Sequence, residues 1–268
     1  MARAGVADLF EDKPLIGMIH MPPLPGAPRC DSAMEELVAF ARSEAALLER
    51  AGLDGVIVEN AGDAPFFRAR VPPLTVAAMA VVVAEVVRHT SVRVGVNVLR
   101  NACEEALAIA AVAGADFIRC NVVIGAYVTD QGVIQGCAAE LARLRASLDK
   151  DVLVFGDVHV KHAHPLFDVP VEDAARDLVE RGGVDAVVVS GARSPDPPSP
   201  ERIDAVAGAI DAPVLVGSGV GLDTAADLLG RAGGLILGET DFKVDRVWGG
   251  ASDERAYRSA VTACRGRP

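Results

Sequence analysis

The stretch Leu153-Val-Phe-Gly-Asp157-Val-His159-Val-Lys161-His162 begins as a buried strand and ends as a row of ionisable groups. Side chains on a strand alternate between two faces, so Asp157, His159 and Lys161 share one face if the strand stays extended through Lys161. A valine-rich strand with ionisable groups at its carboxyl end is typical of a parallel α/β protein, which places its chemistry there. The stretch therefore predicts both the fold class and the position of the site.

The composition favours one large domain spanning residues 1–268. The chain is 51% hydrophobic and 24% charged, and its apolar residues are mostly Ala, Val and Leu, which suits parallel strands covered by helices. The net charge of −11 and the lack of basic runs argue against nucleic acid or an anionic membrane as partner. We expect a small-molecule ligand instead. The mean hydropathy of +0.30 also predicts a homo-oligomer.

We expect a cytoplasmic protein without membrane insertion. Residues 1–12 contain no apolar run of the signal-peptide type, and the most apolar stretch, 76–87, is too short for a span and is interrupted by Glu85. The five cysteines have neither zinc-like nor redox-motif spacing. We interpret them as free thiols in a reducing compartment.

Eight strand-like segments alternate with eight helical segments, which predicts a closed (β/α)8 TIM barrel. A doubly wound open sheet is the alternative, but no GxGxxG motif follows the first strand. The predicted strands are short apolar runs bounded by Gly, Asp or Asn, and they cover Leu15–His20, Gly55–Glu59, Val92–Leu99, Asp116–Cys120, Val152–His159, Ala186–Ser190, Val214–Gly217 and Leu235–Leu237. The predicted helices cover Ala33–Arg50, Leu74–His89, Cys103–Ala113, Ala138–Leu148, Val171–Arg181, Pro200–Ile210, Thr224–Arg231 and Ser252–Cys264.

Polar residues at the carboxyl ends of these strands form the predicted site. We expect Asp157, His159, Lys161 and Glu59 to be catalytic. Strand ends also supply candidate substrate-binding residues, which are His20, Asn97, Arg119, Asn121, His162, Ser190, Gly217, Ser218 and Gly219, with Arg193 in the loop after the sixth strand.

Three chemical roles remain open for this set. Asp157 and His159 can transfer protons while Lys161 and Arg119 bind negative charge. Alternatively, Asp157, His159 and a third ligand, Glu59 or His20, can hold a divalent metal. Lys161 can also act as a Schiff-base amine if burial depresses its pKa. Asp157 and His159 are expected to be replaceable at a cost of about 1 kcal/mol or less in stability, since the other strand face carries the packing.

The segment Val216-Gly-Ser-Gly-Val220 resembles an anion cradle, because backbone N–H groups in such a turn can bind phosphate. In many barrels phosphate binds after the seventh and eighth strands. Here the eighth strand leads into Glu239, whose charge opposes a phosphate unless it turns away or pairs with Lys243. We therefore expect the cradle to bind anions weakly.

The opening segment, Pro14-Leu-Ile-Gly-Met-Ile-His-Met-Pro-Pro-Leu-Pro-Gly-Ala-Pro28, resembles the signature of the BtpA/SgcQ family. The resemblance continues through Asp54–Asn60, Gly95–Asn101, Phe117–Asn121, Asp157–His162 and Val216–Val220. It implies a barrel of the ribulose-phosphate-binding type. Family members are linked to photosystem I biogenesis in phototrophs, and others lie beside sugar-uptake genes.

Three functions follow as alternatives. The first is an isomerase, epimerase or lyase that acts by acid–base chemistry on a small phosphorylated or anionic, sugar-like or nucleoside-like metabolite. The second is a non-catalytic assembly factor that uses the barrel to bind a partner. The third is a metal-dependent hydrolase.

Overall fold

Eight parallel strands close into a barrel in the computed structural model, which describes residues 5–191, 196–247 and 249–266. Numbered in chain order among all strands, they are β1 (Leu15–His20), β2 (Gly55–Glu59), β3 (Arg93–Asn97), β4 (Phe117–Cys120), β7 (Leu153–Val158), β9 (Ala186–Val189), β10 (Val214–Val216) and β11 (Gly234–Leu237). Their order around the barrel is β1-β11-β10-β9-β7-β4-β3-β2. The predicted barrel is confirmed, and each predicted strand lies within a few residues of an observed one.

A small antiparallel sheet, which the sequence pattern did not predict, is built from β5 (Ala126–Thr129), β6 (Gly132–Gln135) and β8 (Ala163–Pro165). It comes from the loops that follow β4 and β7, so it lies at the carboxyl end of the barrel. Its own apolar cluster contains Val122, Tyr127, Ile134 and Val160. These strands are three or four residues long, too short to give a distinct periodicity.

Helices surround the barrel and alternate with its strands. They are α1 (Val6–Phe10), α2 (Met34–Arg50), α3 (Pro73–His89), α4 (Cys103–Ala113), α5 (Ala138–Ala146), α6 (Val171–Glu180), α7 (Pro200–Ala207), α8 (Ala225–Arg231) and α9 (Glu254–Arg265), with short 3₁₀ turns at Ala61–Asp63 and Thr240–Phe242. The additional helix is α1, which carries Leu9 and Phe10 onto the barrel's inner apolar cluster. Within the described residues, no helix is both long and apolar enough to cross a membrane.

Aspartates in the helix-to-strand turns tie neighbouring strands together at their amino ends. Asp54 accepts the backbone N–H of Leu15 at 2.8 Å, and Asp116 accepts that of Val94 at 2.9 Å. Asp185 accepts the N–H of Val154 at 2.7 Å. The recurring Gly–Asp turns therefore stop a helix and also satisfy the first free donor of the neighbouring strand.

The barrel interior is filled by aromatic packing at its centre. The rings of Phe117 and Phe155 stack at a centroid distance of 4.5 Å, and Phe10 of α1 packs on Phe155 at 5.7 Å. Gly95 on β3 makes room for this stack, since a Cβ there would come within 2.2 Å of the Phe117 ring. Ile16 and Ile57 complete the same cluster. This apolar layer is the floor on which the polar groups of the barrel stand.

Replacing Gly95 by alanine is expected to destabilise the fold by about 1–3 kcal/mol, because the added methyl group overpacks the aromatic layer. Denaturant unfolding monitored by circular dichroism measures the change. The matched control is Gly230→Ala, since a Cβ at Gly230 in α8 meets nothing within 4 Å. That control should leave stability unchanged or raise it by up to about 1 kcal/mol. Equal midpoints for Gly95→Ala and the wild type would contradict this packing.

Candidate functional site

A layer of buried polar residues lies directly above the aromatic floor. Each member follows an interior residue of its strand by two positions, so strand alternation places both on the inside. We define the polar layer as His20, Glu59, Asn97, Arg119 and Asp157. The interior residues two positions before them are, in the same order, Met18, Ile57, Gly95, Phe117 and Phe155. Strand register places Glu59 beside both His20 and Asn97.

Arg119 and Asp157 form a two-pronged ion pair inside the barrel. Arg119 Nε donates to Asp157 Oδ1 at 2.9 Å and Nη2 donates to Oδ2 at 2.9 Å, while Asn121 Nδ2 donates to Oδ2 at 3.1 Å. Burial alone would lower the pKa of Arg119, but the charge and hydrogen bonds of Asp157 raise it above its usual value. Both carboxylate oxygens of Asp157 therefore accept hydrogen bonds, and Asp157 holds the Arg119 side chain in place.

Glu59 and His20 form an adjacent pair with a different character. Asn97 Nδ2 donates to Glu59 Oε2 at 2.7 Å, and His20 Nε2 lies 3.8 Å from Glu59 Oε1. Burial raises the pKa of Glu59, although the charges of Arg119 and Lys161 oppose the shift. Burial, followed by the charge of Lys243, lowers the pKa of His20 well below its usual range. A neutral imidazole thus lies beside a carboxyl group whose pKa is shifted towards neutrality, an arrangement suited to proton transfer.

His159 does not join this layer, contrary to the expected alternation. Strand β7 ends at Val158, and His159 has a left-handed backbone with φ of 49°. Burial, followed by the charge of Arg202 on α7, lowers the pKa of His159, and its backbone contacts the Tyr127 hydroxyl. The chain turns here because it must reach β8 within a few residues, so the imidazole faces the small sheet and α7.

His162 also leaves the site. It has a left-handed backbone with φ of 56° and is exposed in the turn before β8. His162 was predicted to bind substrate, but its side chain lies on the surface and not among the buried polar groups. Strand β7 ends at Val158, so the alternation of side chains that predicted the position of His162 does not extend to it.

Lys161 nevertheless reaches the site from this turn. Its Nζ donates to Ser218 Oγ at 2.9 Å and lies 4.0 Å from Glu239 Oε1. Burial and the charge of Arg119 lower the pKa of Lys161, while Glu239 is the largest influence in the opposite direction. Lys161 is therefore a partly buried amine between the polar layer and the anion cradle.

Arg100 is a site residue that the sequence reasoning did not single out. Its Nη2 donates to the backbone oxygen of Lys161 at 2.6 Å, and its side chain is buried. Burial lowers the pKa of Arg100, and the charges of Asp157 and Glu59 oppose that shift. The available signal was a lone cation just after the third strand, in a stretch otherwise made of apolar and amide residues.

Glu239 occupies the anion cradle itself. Its Oε1 accepts from Ser218 Oγ at 2.7 Å and from the backbone N–H of Gly219 at 3.0 Å. The expected alternatives were that Glu239 turns away or pairs with Lys243. Instead Lys243 donates to Ser252 Oγ at 3.3 Å, away from the cradle. The next helix, α8, begins only at Ala225, so no helix amino terminus supports the turn.

Several buried polar atoms near the strand ends make no hydrogen bond within the structure's described part. They include Ser190 Oγ, just after β9, Asn121 Oδ1, whose amide group also contacts Asp157, and His159 Nε2, just after β7. Buried polar atoms normally have partners, so these atoms are candidates for contacts with a ligand. Arg193, which was predicted to lie in the same loop as Ser190, falls outside the described residues.

The proposed metal ligands do not converge. Asp157 is held by Arg119, and His159 lies outside the polar layer. Across residues 5–191, 196–247 and 249–266, no group of three His, Cys, Asp or Glu side chains could hold a metal ion. The geometry gives no support to the metal-dependent alternative.

Comparison with known proteins places the chain among relatives of similar length. The model of the BtpA family matches residues 11–264. An uncharacterised protein of Methanocaldococcus jannaschii is 44% identical over 230 residues, covering 86% of this chain and 87% of that protein. The photosystem I biogenesis protein BtpA of Synechocystis sp. is 42% identical over 235 residues, covering 86% of this chain and 82% of that protein.

Solved structures with little sequence identity share the fold. The N-(5'-phosphoribosyl)anthranilate isomerase of Pyrococcus furiosus superimposes with a TM-score of 0.58 at 13% identity, covering 95% of this chain and 100% of that chain. This similarity supports the barrel architecture, and it carries no information about the reaction.

Replacing Asp157 by asparagine is expected to destabilise the protein by about 3–5 kcal/mol, because it leaves the buried Arg119 cation without its counter-ion. This corrects the expectation of about 1 kcal/mol or less, which assumed that Asp157 projects without a partner. Denaturant unfolding measures the change. The control is Asp151→Asn, which removes an exposed ion pair with Arg145 and should shift stability by about 1 kcal/mol or less. Similar shifts for the two variants would contradict the structural role of the pair.

Proposed function

This chain belongs to the BtpA family, and from its site we propose that it is an enzyme transferring a proton on a small, hydroxyl-rich, sugar-like metabolite. The observation that carries the proposal is the buried pair of Glu59 and His20 at the carboxyl ends of β1 and β2. A buried carboxyl with a raised pKa has little structural use, and it meets the requirements of a general base.

The other groups fit the needs of such a reaction. Ionised Glu59 removes a proton from the substrate, and negative charge then develops on the neighbouring oxygen. Positive charge for that oxygen comes from Lys161, whose Nζ lies beside Ser218 Oγ, and from Arg100, whose Nη2 bonds a backbone oxygen. Neutral His20 can relay or return the proton. An isomerase or epimerase is the reaction class that needs only these steps.

The polar groups around the pair are suited to recognising hydroxyl groups. Asn121 Oδ1 and Ser190 Oγ are buried with hydrogen-bonding capacity left over, and carboxylate oxygens lie nearby. A sugar-like ligand offers many donors and acceptors at short spacing, which matches this set. We propose this ligand class within the cytoplasm, where the free thiols are also expected to remain reduced.

A partner-binding role is a second candidate. The relative from Synechocystis sp. is named a photosystem I biogenesis protein. The observation in its favour is exposed apolar surface, such as Phe67 at 57% and Phe167 at 76% exposure. A mutation of Glu59 distinguishes the two proposed functions. It should abolish proton transfer, whereas binding of a partner through outer surfaces does not need Glu59.

Replacing Glu59 by glutamine is expected to lower the rate of proton transfer by about a hundredfold or more, because the base is removed while the shape is kept. Deuterium incorporation from heavy water into a panel of aldoses, ketoses and ribosides, followed by NMR, measures the rate and identifies the substrate. The control is Glu49→Gln on the outer helix α2, whose carboxylate binds Ser91. Full exchange activity in Glu59→Gln would exclude Glu59 as the base.

The pH dependence of folding stability tests the role of Glu59 without any knowledge of the substrate. Because the pKa of Glu59 is raised in the folded state, its stabilising contribution is present below the ordinary carboxyl pKa and is lost as pH rises through the raised pKa. Glu59→Gln should therefore gain stability relative to the wild type as pH rises through that range. Exchange activity should show an acid limb at the same raised pKa. A constant stability difference between the two proteins across this range would contradict the assignment.

A further inference from the structure

We infer that Glu239 acts as a built-in occupant of the anion cradle, so that the ligand of this site carries no phosphoryl group there. The inference rests on the function proposed above and names the class of substrate more narrowly. It concerns the turn at Gly217–Gly219, where many barrels of this fold bind phosphate.

The donors that a phosphate would need are already used. One oxygen of Glu239, Oε1, accepts both the Ser218 hydroxyl at 2.7 Å and the Gly219 N–H at 3.0 Å. The ammonium group of Lys161 donates to Ser218 and lies 4.0 Å from the same oxygen. A hydroxyl, a backbone N–H and a lysine are a typical phosphate-binding set, and here they surround a carboxylate.

The carboxylate is also held where it is. Glu239 is buried, with 8% of its surface exposed, and its two hydrogen bonds to Ser218 and Gly219 would be lost if it moved towards solvent. The other side of the turn is closed, because a Cβ at Gly219 would lie 2.3 Å from the Asp196 carbonyl oxygen. A phosphate approaching from the barrel centre would meet like charge, whereas a hydroxyl group could donate to Glu239.

The test compares inorganic phosphate and sulfate binding by the wild type, Glu239→Ala and Glu239→Gln, measured by isothermal titration calorimetry. Both variants are expected to bind the anions at least about tenfold more tightly than the wild type, a difference of about 1.4 kcal/mol. Glu239→Gln keeps the side-chain volume, so it preserves the test if the alanine variant misfolds. Adding Ser218→Ala to either variant should reverse the gain.

Two outcomes would overturn the inference. If the wild type binds phosphate as tightly as the variants, Glu239 does not close the cradle. If none of the proteins binds, emptying the turn does not create an anion site, and Glu239 is not what excludes phosphate. The titration uses no substrate, so its result stands apart from the Glu59→Gln experiment that tests the proposed reaction.

An independent feature, the outer surface of α3 and α4, leads to a second proposal: we propose that it binds a second copy of this chain. We define the α3–α4 face as Leu74, Ala77, Val81, Ala108, Ala111 and Val112. Leu74, Val81 and Val112 are 53%, 50% and 84% exposed. Residues 72–84 include no charged residue, so α3 is apolar on its outer side as well as its inner side. A helix of that kind is normally covered.

The face combines a groove with projecting side chains. Near the amino ends of α3 and α4 lies a groove of about 480 Å³, lined by Val71, Pro73, Val76, Ala77 and Ala80 together with the charged residues Arg70 and Glu105. Val81 projects at the middle of α3, and Val112 projects near the carboxyl end of α4, which runs parallel to α3 around the barrel. A two-fold axis across the middle of α3 would set Val81 against its own copy and bring Val112 of each copy over the groove of the other, as an isologous interface requires.

The arrangement of charges is compatible with the same axis. Arg88 and His89 lie exposed at the carboxyl end of α3, where both pair with Glu85, while Glu104 and Glu105 lie at the amino end of α4, where Glu105 pairs with Arg70. Antiparallel pairing brings Arg88 of one copy towards Glu104 of the other. The 17 residues of α3 span about 25 Å, and two adjacent helices are about 20 Å wide, so the face measures at most about 500 Å² on each copy. The two faces together approach the roughly 1,000 Å² in total that a specific interface needs.

Light scattering after size-exclusion chromatography tests this second proposal. The wild type is expected to be a dimer at micromolar concentration, and Val81→Lys a monomer with unchanged circular dichroism. The control, Val133→Lys on the small sheet, should remain dimeric, since Val133 is exposed at 40% away from the face. Arg88→Glu should weaken the dimer and Arg88→Glu with Glu104→Arg should restore it. A monomeric wild type, or a dimer that survives Val81→Lys, would overturn the proposal.

Discussion

The ion pair of Arg119 and Asp157 sets the electrostatics inside the barrel. It buries a full positive and a full negative charge on neighbouring strands, and each is satisfied by hydrogen bonds with good geometry. Such a pair is tolerable in the interior only when both partners are present. Burial has the largest effect on the pKa of Glu59, His20 and Lys161; the charge of Arg119 opposes that effect at Glu59 and adds to it at His20 and Lys161. The pair therefore contributes to the pKa shifts of the neighbouring ionisable groups.

The site arises from the alternation of side chains along the barrel strands and from how the interior side chains pack. Interior positions change from apolar to polar over two residues, from Phe155 to Asp157 and from Ile57 to Glu59, so the ionisable groups lie on a buried apolar layer that contains the aromatic stack. Burial next to that floor raises the pKa of Glu59, because water cannot solvate its charge. Gly95 allows the floor to form by giving the ring of Phe117 its space. Packing and chemistry are thus coupled through the same strands.

Barrels of the same fold can differ in what the turn after a strand binds. The turn at Gly217–Gly219 keeps donors of the phosphate-binding type, but here a carboxylate from the next strand end accepts them. Fold similarity at 13% identity therefore says little about the ligand, since a single residue changes the charge that the turn presents.

The sequence by itself determined the barrel, the positions of its strands and the point along each strand at which interior residues change from apolar to polar. These features follow from local periodicity, and the Asp residues of the helix-to-strand turns follow the same repeat. It also indicated Glu59, His20 and Asn97 together, because residues at the ends of neighbouring parallel strands must meet. The family resemblance rested on motifs within these same segments and is confirmed by the family match over residues 11–264.

Tertiary structure alone decided which groups pair. His159 leaves the site because its backbone turns left-handed after Val158, and alternation cannot anticipate where pairing ends. The bond from Arg100 to the Lys161 backbone spans 61 positions in sequence, and that from Ser218 to Glu239 spans 21. A buried charge takes the partner that folding brings within reach, and contacts between loops leave no periodic trace in the chain.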